Sequence, residues 1–226
     1  MAYVAGLLVT DGNLSGDGRH ITMRSIDRDL LETFCKCLNL NSNIARTKDT
    51  HNDGYIRKPC YRIQFSNVQF YNWLVKIGIT PAKTHTIGII EVPDIFFKDF
   101  LRGHLDGDGS ISAYKDSYNF YKGRGYVANR LFIRFISASK PHIVWLRNKI
   151  SHLDGVNGAL IEEKSKKENR VSIWEVKFAK KESVKLLNWI YYKLNLPTLS
   201  RKRLLAEKSL ETISNETRKK YAWISV

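Results

Sequence analysis

The chain repeats itself, and this constrains its fold more than any other feature. Val4-Ala5-Gly6-Leu7-Leu8-Val9-Thr10-Asp11-Gly12-Asn13 returns 97 positions later as Leu101-Arg102-Gly103-His104-Leu105-Asp106-Gly107-Asp108-Gly109-Ser110. Downstream, apolar positions pair at an offset of 112: Ile21 with Ile133, Met23 with Phe135, Leu31 with Ile143, Phe34 with Leu146 and Leu38 with Ile150. Tyr61-x-Ile63-x-Phe65 then answers to Trp174-x-Val176-x-Phe178 at 113, and Asn72-Trp73-Leu74 to Asn188-Trp189-Ile190 at 116. Four matches in one order, with an offset that only grows, describe a duplicated unit of roughly 100 residues. The copies occupy residues 1–93 and 94–226. The jump in offset places about 15 extra residues in the second copy, within 112–129, an aromatic, basic and glycine-bearing stretch that reads as an elongated hairpin.

The periods inside each copy define its elements. Residues 20–25 alternate, with Ile21 and Met23 on one face and Thr22 and Arg24 on the other. Leu30, Leu31, Phe34 and Leu38 fall at helical spacing behind Asp27, placed as N-cap. Residues 61–66 alternate again, Tyr61, Ile63 and Phe65 inward and Arg62, Gln64 and Ser66 outward, and Phe70, Trp73, Leu74 and Ile77 form an apolar helical stripe ended by Gly78 and Pro81. Each copy is thus helix, hairpin, helix, hairpin, helix. In the second copy helices fall near 94–107, 140–153 and 181–194, and one more near 201–213 has no partner in the first. Antiparallel strands with helices on one side make an α+β fold.

Charge narrows the partner. Of 226 residues, 37 are Lys or Arg against 22 Asp or Glu, a net charge of +15, and such an excess spread along a folded chain is the footprint of a polyanion. No run approaches the roughly 18 apolar residues of a membrane span, and no Lys/Arg-rich amphipathic helix or lipidation motif points to a membrane surface. No secretory or transit signal precedes the first apolar segment, so an intracellular protein is expected. Cys35, Cys37 and Cys60 are too few for a disulfide framework or a zinc ribbon. The outward strand positions Thr22, Arg24, Arg62, Gln64, Arg134 and Lys177, together with Arg46, carry donors and acceptors that reach phosphates and base edges. Glu175 interrupts that basic face.

The repeated motif has chemical content. An apolar helix ends at an acid followed by glycine, the residue that allows the left-handed turn closing a helix. Gly6 and Thr10, and Gly103 and Gly107, recur at a spacing of four, which lets two helices approach closely through small residues. If the copies pair about a twofold axis, Asp11 and Asp108 project side by side. Two carboxylates at such a seam need a cation between them, and Mg²⁺ suits oxygen ligands beside a phosphate polymer. Asp-Gly alone is a turn dipeptide, found also at Asp17, Asp53 and Asp154; its recurrence inside a longer pattern gives it weight. His20, His51, His85, His142 and His152 show no ligand spacing, and His104, inside the second motif helix where the first has Leu7, reads as a packing or hydrogen-bonding residue and not a catalytic one.

Val4 to Gly12 and Leu101 to Gly109 resemble the LAGLIDADG motif of homing endonucleases, and the chain as a whole resembles the single-chain, two-motif type. The resemblance implies two αββαββ halves, the second with an added helix, about a pseudo-twofold axis, with the motif helices at the interface and two saddle-shaped antiparallel sheets. It implies a monomer that binds double-stranded DNA in the major groove and cleaves both strands with Mg²⁺ (Ca²⁺ or Mn²⁺ as substitutes), leaving short 3′ overhangs. By position, Asp11 and Asp108 are the catalytic and metal-binding acids, with the carbonyls of Thr10 and Gly107 as further ligands. Asp106 falls where the family often has an acid of lesser role, and the first copy has Val9 there. A basic residue is expected after the last helix of each half: Lys83 in the first, Lys202 or Arg201 in the second, while Thr22 and Ser137 are candidates to position water. Two other activities fit the same fold: an intron RNA maturase and a DNA-binding regulator with a retired site.

Overall fold

The computed structural model describes residues 1–47, 59–121, 124–164 and 172–222. His51 and Asp53, and Lys122 and Gly123 of the expected long hairpin, lie outside the described residues. The first half runs α1 (Ala2–Thr10), β1 (Gly12–Leu14), β2 (His20–Ser25), α2 (Arg28–Leu38), β3 (Ala45–Thr47), β4 (Cys60–Ser66) and α3 (Val68–Lys76). The second runs α4 (Asp94–Asp106), β5 (Ser110–Tyr121), β6 (Arg124–Ser137), α5 (Lys140–Asp154), β7 (Ala159–Glu163), β8 (Ile173–Phe178) and α6 (Lys180–Ile190), followed by α7 (Ser200–Ala222). The strand orders β1-β2-β4-β3 and β5-β6-β8-β7 are the same arrangement twice, with every pairing antiparallel.

Each sheet turns one face to its own helices. In the first half Ile21, Met23 and Ile63 are buried against Leu30, Leu31, Phe34 and Leu74, and the rings of Phe34, Phe65, Phe70 and Trp73 follow one another at centroid spacings of 5.7–6.2 Å. In the second, Ile133, Phe135, Val176 and Phe178 are buried against Ile143, Leu146, Leu186 and Leu187. Helix α7 runs well past the 201–213 expected from sequence. Its apolar stripe stops at Ile213, so periodicity loses the last turns, but no Gly or Pro intervenes to break it.

The two halves meet through α1 and α4. Helix α1 is buried from Tyr3 to Val9 and is apolar all round, as a helix surrounded by protein must be. The contact has almost no side-chain thickness. A Cβ at Gly6 would lie 2.1 Å from the Phe100 carbonyl oxygen, one at Gly103 would lie 2.0 Å from that of Tyr3, and one at Gly107 would lie 1.9 Å from Thr10 Oγ1. Glycine spaced by four is therefore a steric requirement of this seam.

That requirement is testable. Gly6→Ala or Gly103→Ala must push two backbones apart, and overpacking of this severity should cost about 3 kcal/mol or more. Gly16→Ala, where a Cβ meets nothing within 4 Å, should lie within about 0.5 kcal/mol of the parent. Denaturant unfolding measures both; equal stability of all three would refute the packing argument.

Candidate active site

The C-terminal ends of α1 and α4 lie together, and each carries its motif acid one or two residues past the helix. Asp11 occupies the C-cap of α1, with its N–H donated to the Leu7 carbonyl. Its Oδ2 is 3.1 Å from the point a Gly107 Cβ would occupy, so Asp11 overlies the end of the opposite helix. Asp11 is half-buried and Asp108 is exposed at the rim. Burial, and then the charge of Asp108, pushes the Asp11 carboxyl up to about 7, against the pull of Lys202 and Lys83. Partial removal from water raises Asp108 as well, with the same two lysines opposing. Thr10 Oγ1 donates back to the Leu7 carbonyl at 2.9 Å.

Two lysines close the ends of these helices. Lys202 Nζ donates to the carbonyls of Leu105 (2.7 Å), Asp106 (2.9 Å), Gly107 (2.8 Å) and Gly109 (2.7 Å). Three ammonium protons serve four acceptors, so one bond is shared. Lys83 Nζ donates to the Gly12 carbonyl, and Gly12 is the repeat counterpart of Gly109. Lys83 and Lys202 are therefore the pseudo-equivalent pair. Arg201 does something else: its guanidinium grips Asp27, with Nε 3.0 Å from both carboxylate oxygens and Nη2 2.7 Å from Oδ2. Burial lowers both lysines, Lys202 to about 8.

Two clefts flank the acids. One, about 90 Å³, is lined by Thr10, Lys83, His104, Asp108, Ser137 and His142, among others. The other, about 310 Å³, is lined by Asp11, Arg24, Ser25, Asp27, Cys60 and Arg201, among others. Ser25 and Ser137 are repeat counterparts, so the clefts are related by the pseudo-twofold. The structure thus brings together Asp11, Asp108, Thr10, Gly107, Lys83 and Lys202.

The sheet faces follow expectation with two exceptions. Register places Thr22, Arg24, Arg62 and Gln64 on one face of the first sheet, since Thr22 pairs with Gln64 and Arg24 with Arg62. Arg134 pairs with Lys177 in the second sheet, and Lys177 Nζ sits 4.3 Å from the Phe132 ring centroid. Arg46 departs from this face: it pairs with Tyr61, one residue out of phase with Arg62, so it projects to the opposite side at an exposed strand end. One residue of register reverses a side chain. Thr22 has the expected direction but is only 8% exposed. Glu175 is buried on the second sheet.

Several residues at the site have partners that the sequence did not name, and His104 makes both the packing contact and the partner hydrogen bond expected of it. Asp27 is the N-cap residue of α2, but its carboxylate makes no cap hydrogen bond; Arg201 takes it instead. Asp106 is buried and accepts from Tyr3 OH and from the Leu199 N–H, both at 2.8 Å, fixing the start of α7 and hence Lys202. Burial raises it to about 7. Arg102, 1% exposed, donates to the carbonyls of Pro197 and Ile190, both at 3.0 Å, and pairs with Asp99 at 2.7 Å. His104 stacks on His142 with Nε2 atoms 3.1 Å apart, and His142 Nδ1 donates to the Gly88 carbonyl at 2.7 Å. The only available signal was asymmetry between the copies, because Ala5, Leu7 and Val9 stand where Arg102, His104 and Asp106 do.

No protein-family model matches the sequence, and no curated protein matches it. Solved structures do match. The LAGLIDADG homing endonuclease I-LtrWI, bound to its target DNA, matches with a TM-score of 0.58 over 97% of this chain and 91% of that one, at 13% identity. The meganuclease I-SmaMI bound to uncleaveable DNA gives 0.63 over 97% and 90%, at 10% identity. Full-length DUF199/WhiA from Thermatoga maritima gives 0.53 over 96% and 67%, at 14% identity. At these identities the likeness is one of fold. The chain has the two-half, pseudo-symmetric α+β fold of the single-chain LAGLIDADG homing endonucleases. Among the described residues no helix is long and apolar enough to cross a membrane.

The histidine pair gives the site a pH signature. Burial lowers His142 to about 4 and lowers His104 as well. The folded protein then binds fewer protons than the unfolded chain between pH 6.5 and 4, so this contribution is lost as pH falls through that window. Asp11 and Asp106, both raised, act in the opposite sense. His104→Leu/His142→Asn should therefore remove a loss on the order of 3 kcal/mol between pH 6.5 and 4 relative to the parent. Parallel stability profiles for the two proteins would exclude buried neutral imidazoles.

Proposed function

We propose that the chain is a site-specific double-strand DNA endonuclease that hydrolyses one phosphodiester on each strand of a long target. The observation that carries this reading is the convergence of Asp11 and Asp108 at the joined ends of α1 and α4, each beside a cleft and within electrostatic reach of both lysines. The homing endonucleases of this fold that were solved with DNA support the choice of duplex DNA as substrate.

The donor set suits a hard divalent cation. No group of three or more His, Cys, Asp or Glu able to hold a metal occurs among the described residues, so a dedicated protein cage is not offered. Two carboxylates with open positions left for water and phosphate is the way Mg²⁺ is usually held beside a phosphate substrate. Asp11 and Asp108 would hold it, with the Thr10 and Gly107 carbonyls as candidate further ligands; the Gly107 oxygen already accepts from Lys202 and has a second lone pair. When bound, the cation supplies an activated water and neutralises charge on the leaving oxygen.

The chain's own residues do the remainder. Arg24, Arg62, Gln64, Arg134 and Lys177 present donors to the duplex and hold it over the acids. Lys83 and Lys202, held as ammonium donors by main-chain carbonyls, place fixed positive charge where the phosphate gains negative charge. Ser25 and Ser137, one in each cleft, are placed to orient water. Retention of both motif acids favours cleavage over a retired DNA-binding role.

Selection from a randomised duplex library in Mg²⁺ should yield one discrete site cut on both strands. Asp108→Asn and Asp11→Asn should slow cleavage at least about 10²-fold while binding in Ca²⁺ stays within about threefold. Affinity should fall with salt at a log–log slope near −5, as about six phosphate contacts require. Undiminished cleavage by Asp108→Asn, or affinity indifferent to salt, would overturn the reading.

A further inference from the structure

Helix N-caps are normally spent on the helix itself. Asn67 shows this in α3, accepting from the Phe70 N–H at 2.9 Å. Asp27 and Ser139 are the N-cap residues of α2 and α5, repeat counterparts at the same offset of 112 that relates the flanking strands and helices. Neither makes a side-chain cap hydrogen bond, although residues of these types are favoured at N-caps because that bond stabilises the helix. Both side chains are diverted to the chain segment that carries a site lysine, and in each case that segment belongs to the other half.

Asp27, in the first half, takes the Arg201 guanidinium through three contacts of 2.7–3.0 Å. Asp29 accepts from the Ser200 N–H at 3.3 Å. The next residue is Lys202. Ser139, in the second half, donates its hydroxyl to the Ile87 carbonyl, and His142 donates to Gly88. The Ile87 N–H in turn donates to the Lys83 carbonyl at 2.8 Å, closing the turn on which Lys83 stands. Ala82, immediately before Lys83, has φ +53°, a conformation that costs an alanine energy and persists only where neighbours hold it. Lys83 lines the cleft of Asp108, and Arg201 lines the cleft of Asp11.

We infer that Asp27 and Ser139 are crosswise positioning residues: each half holds the lysine segment of the other, through an ion pair on the Lys202 side and a neutral hydroxyl on the Lys83 side. For strand cleavage this rests on the endonuclease reading, and Asp27 governs one strand and Ser139 the other. The two latches also differ in kind, so salt screens the first and leaves the second unaffected.

Trace acylation with acetic anhydride, read lysine by lysine by peptide mass spectrometry, tests the latches without any nuclease activity. Asp27→Ser keeps a good N-cap but cannot hold the guanidinium. It should raise the acylation rate of Lys202 at least threefold with Lys83 unchanged, and Ser139→Ala should do the reverse. The charge-exchanged pair Asp27→Arg/Arg201→Asp should restore Lys202 protection. Unchanged rates, or both lysines rising together in either variant, would overturn the proposal, the second by revealing mere loosening of the fold. On a duplex that the parent cleaves, with its 5′ ends differently labelled, Asp27→Ser and Ser139→Ala should each accumulate a nick in opposite strands; equal slowing of both strands would overturn the strand assignment. A parent that cleaves no duplex would sink the endonuclease reading alone, because the acylation result stands by itself.

Discussion

Everything in this molecule depends on two helix backbones touching. Glycines at 6, 103 and 107 remove the side chains that would separate α1 from α4, and the helices run to a common end. That end is electrostatically awkward. The last carbonyls of a helix are unpaired and carry partial negative charge, and each helix here adds an aspartate at the same place. Burial raises both acids, and for Asp11 the charge of Asp108 adds to it. Lys202 meets this need directly, with its amine on the last carbonyls of α4, and Lys83, on the Gly12 carbonyl, adds a second positive charge beside the Asp108 cleft. Packing, helix termination and site electrostatics are one problem with one solution.

The two halves share a topology but are held together unequally. The first is sealed along α1 by apolar contact and by the single hydroxyl of Tyr3, which donates to Asp106. The second places Arg102, His104 and Asp106 on alternate positions of α4, all but inaccessible to solvent, and between them they tie down two connecting segments. Arg102 holds the chain at Ile190 and Pro197, Asp106 holds Leu199, and His104 reaches Gly88 through His142. Buried polar groups must be partnered or they cost more than they contribute, so these residues specify where the connecting segments go. α4 therefore organises the loops around the site, and α1 serves as the surface against which it packs.

Much of this was legible in the residues because it depends on local spacing. Alternation at 20–25 and 61–66 sets the sheet faces, glycines four apart announce the helix seam, and repetition of Asp-Gly inside a longer pattern separates two acids from the turn dipeptides at Asp17 and Asp154. What stayed hidden depends on distant partners. Arg46 looked equivalent to Arg62 in composition, but the pairing of β3 with β4 is set by a connection whose register the sequence does not state, and one residue reversed it. Asp27 had every mark of an ordinary N-cap; only the arrival of Arg201, 174 residues later, shows otherwise. Lys202 was distinguishable from Arg201 only once α7 was seen to begin at Ser200 and aim the second of the two basic residues at the end of α4.

Duplication explains why the latches cross. In a pair of identical subunits, a contact between the N-terminus of the second helix and the partner's lysine segment forms twice by symmetry, because any isologous interface repeats its contacts. Fusion of the copies leaves both contacts in place but frees their chemistry to diverge, and Asp27 with Arg201 against Ser139 with Ile87 is that divergence: one position, two kinds of bond. A lysine held by its own half alone would respond only to its own half. With its amine on its own half and its chain segment latched to the other, it makes each cleft sensitive to how well the two halves are docked, and the docking is the glycine seam. The geometry thus gives the acids and the lysines a common dependence on the α1–α4 contact, so that separation of the halves would remove the second carboxylate and the cation from a centre in the same movement.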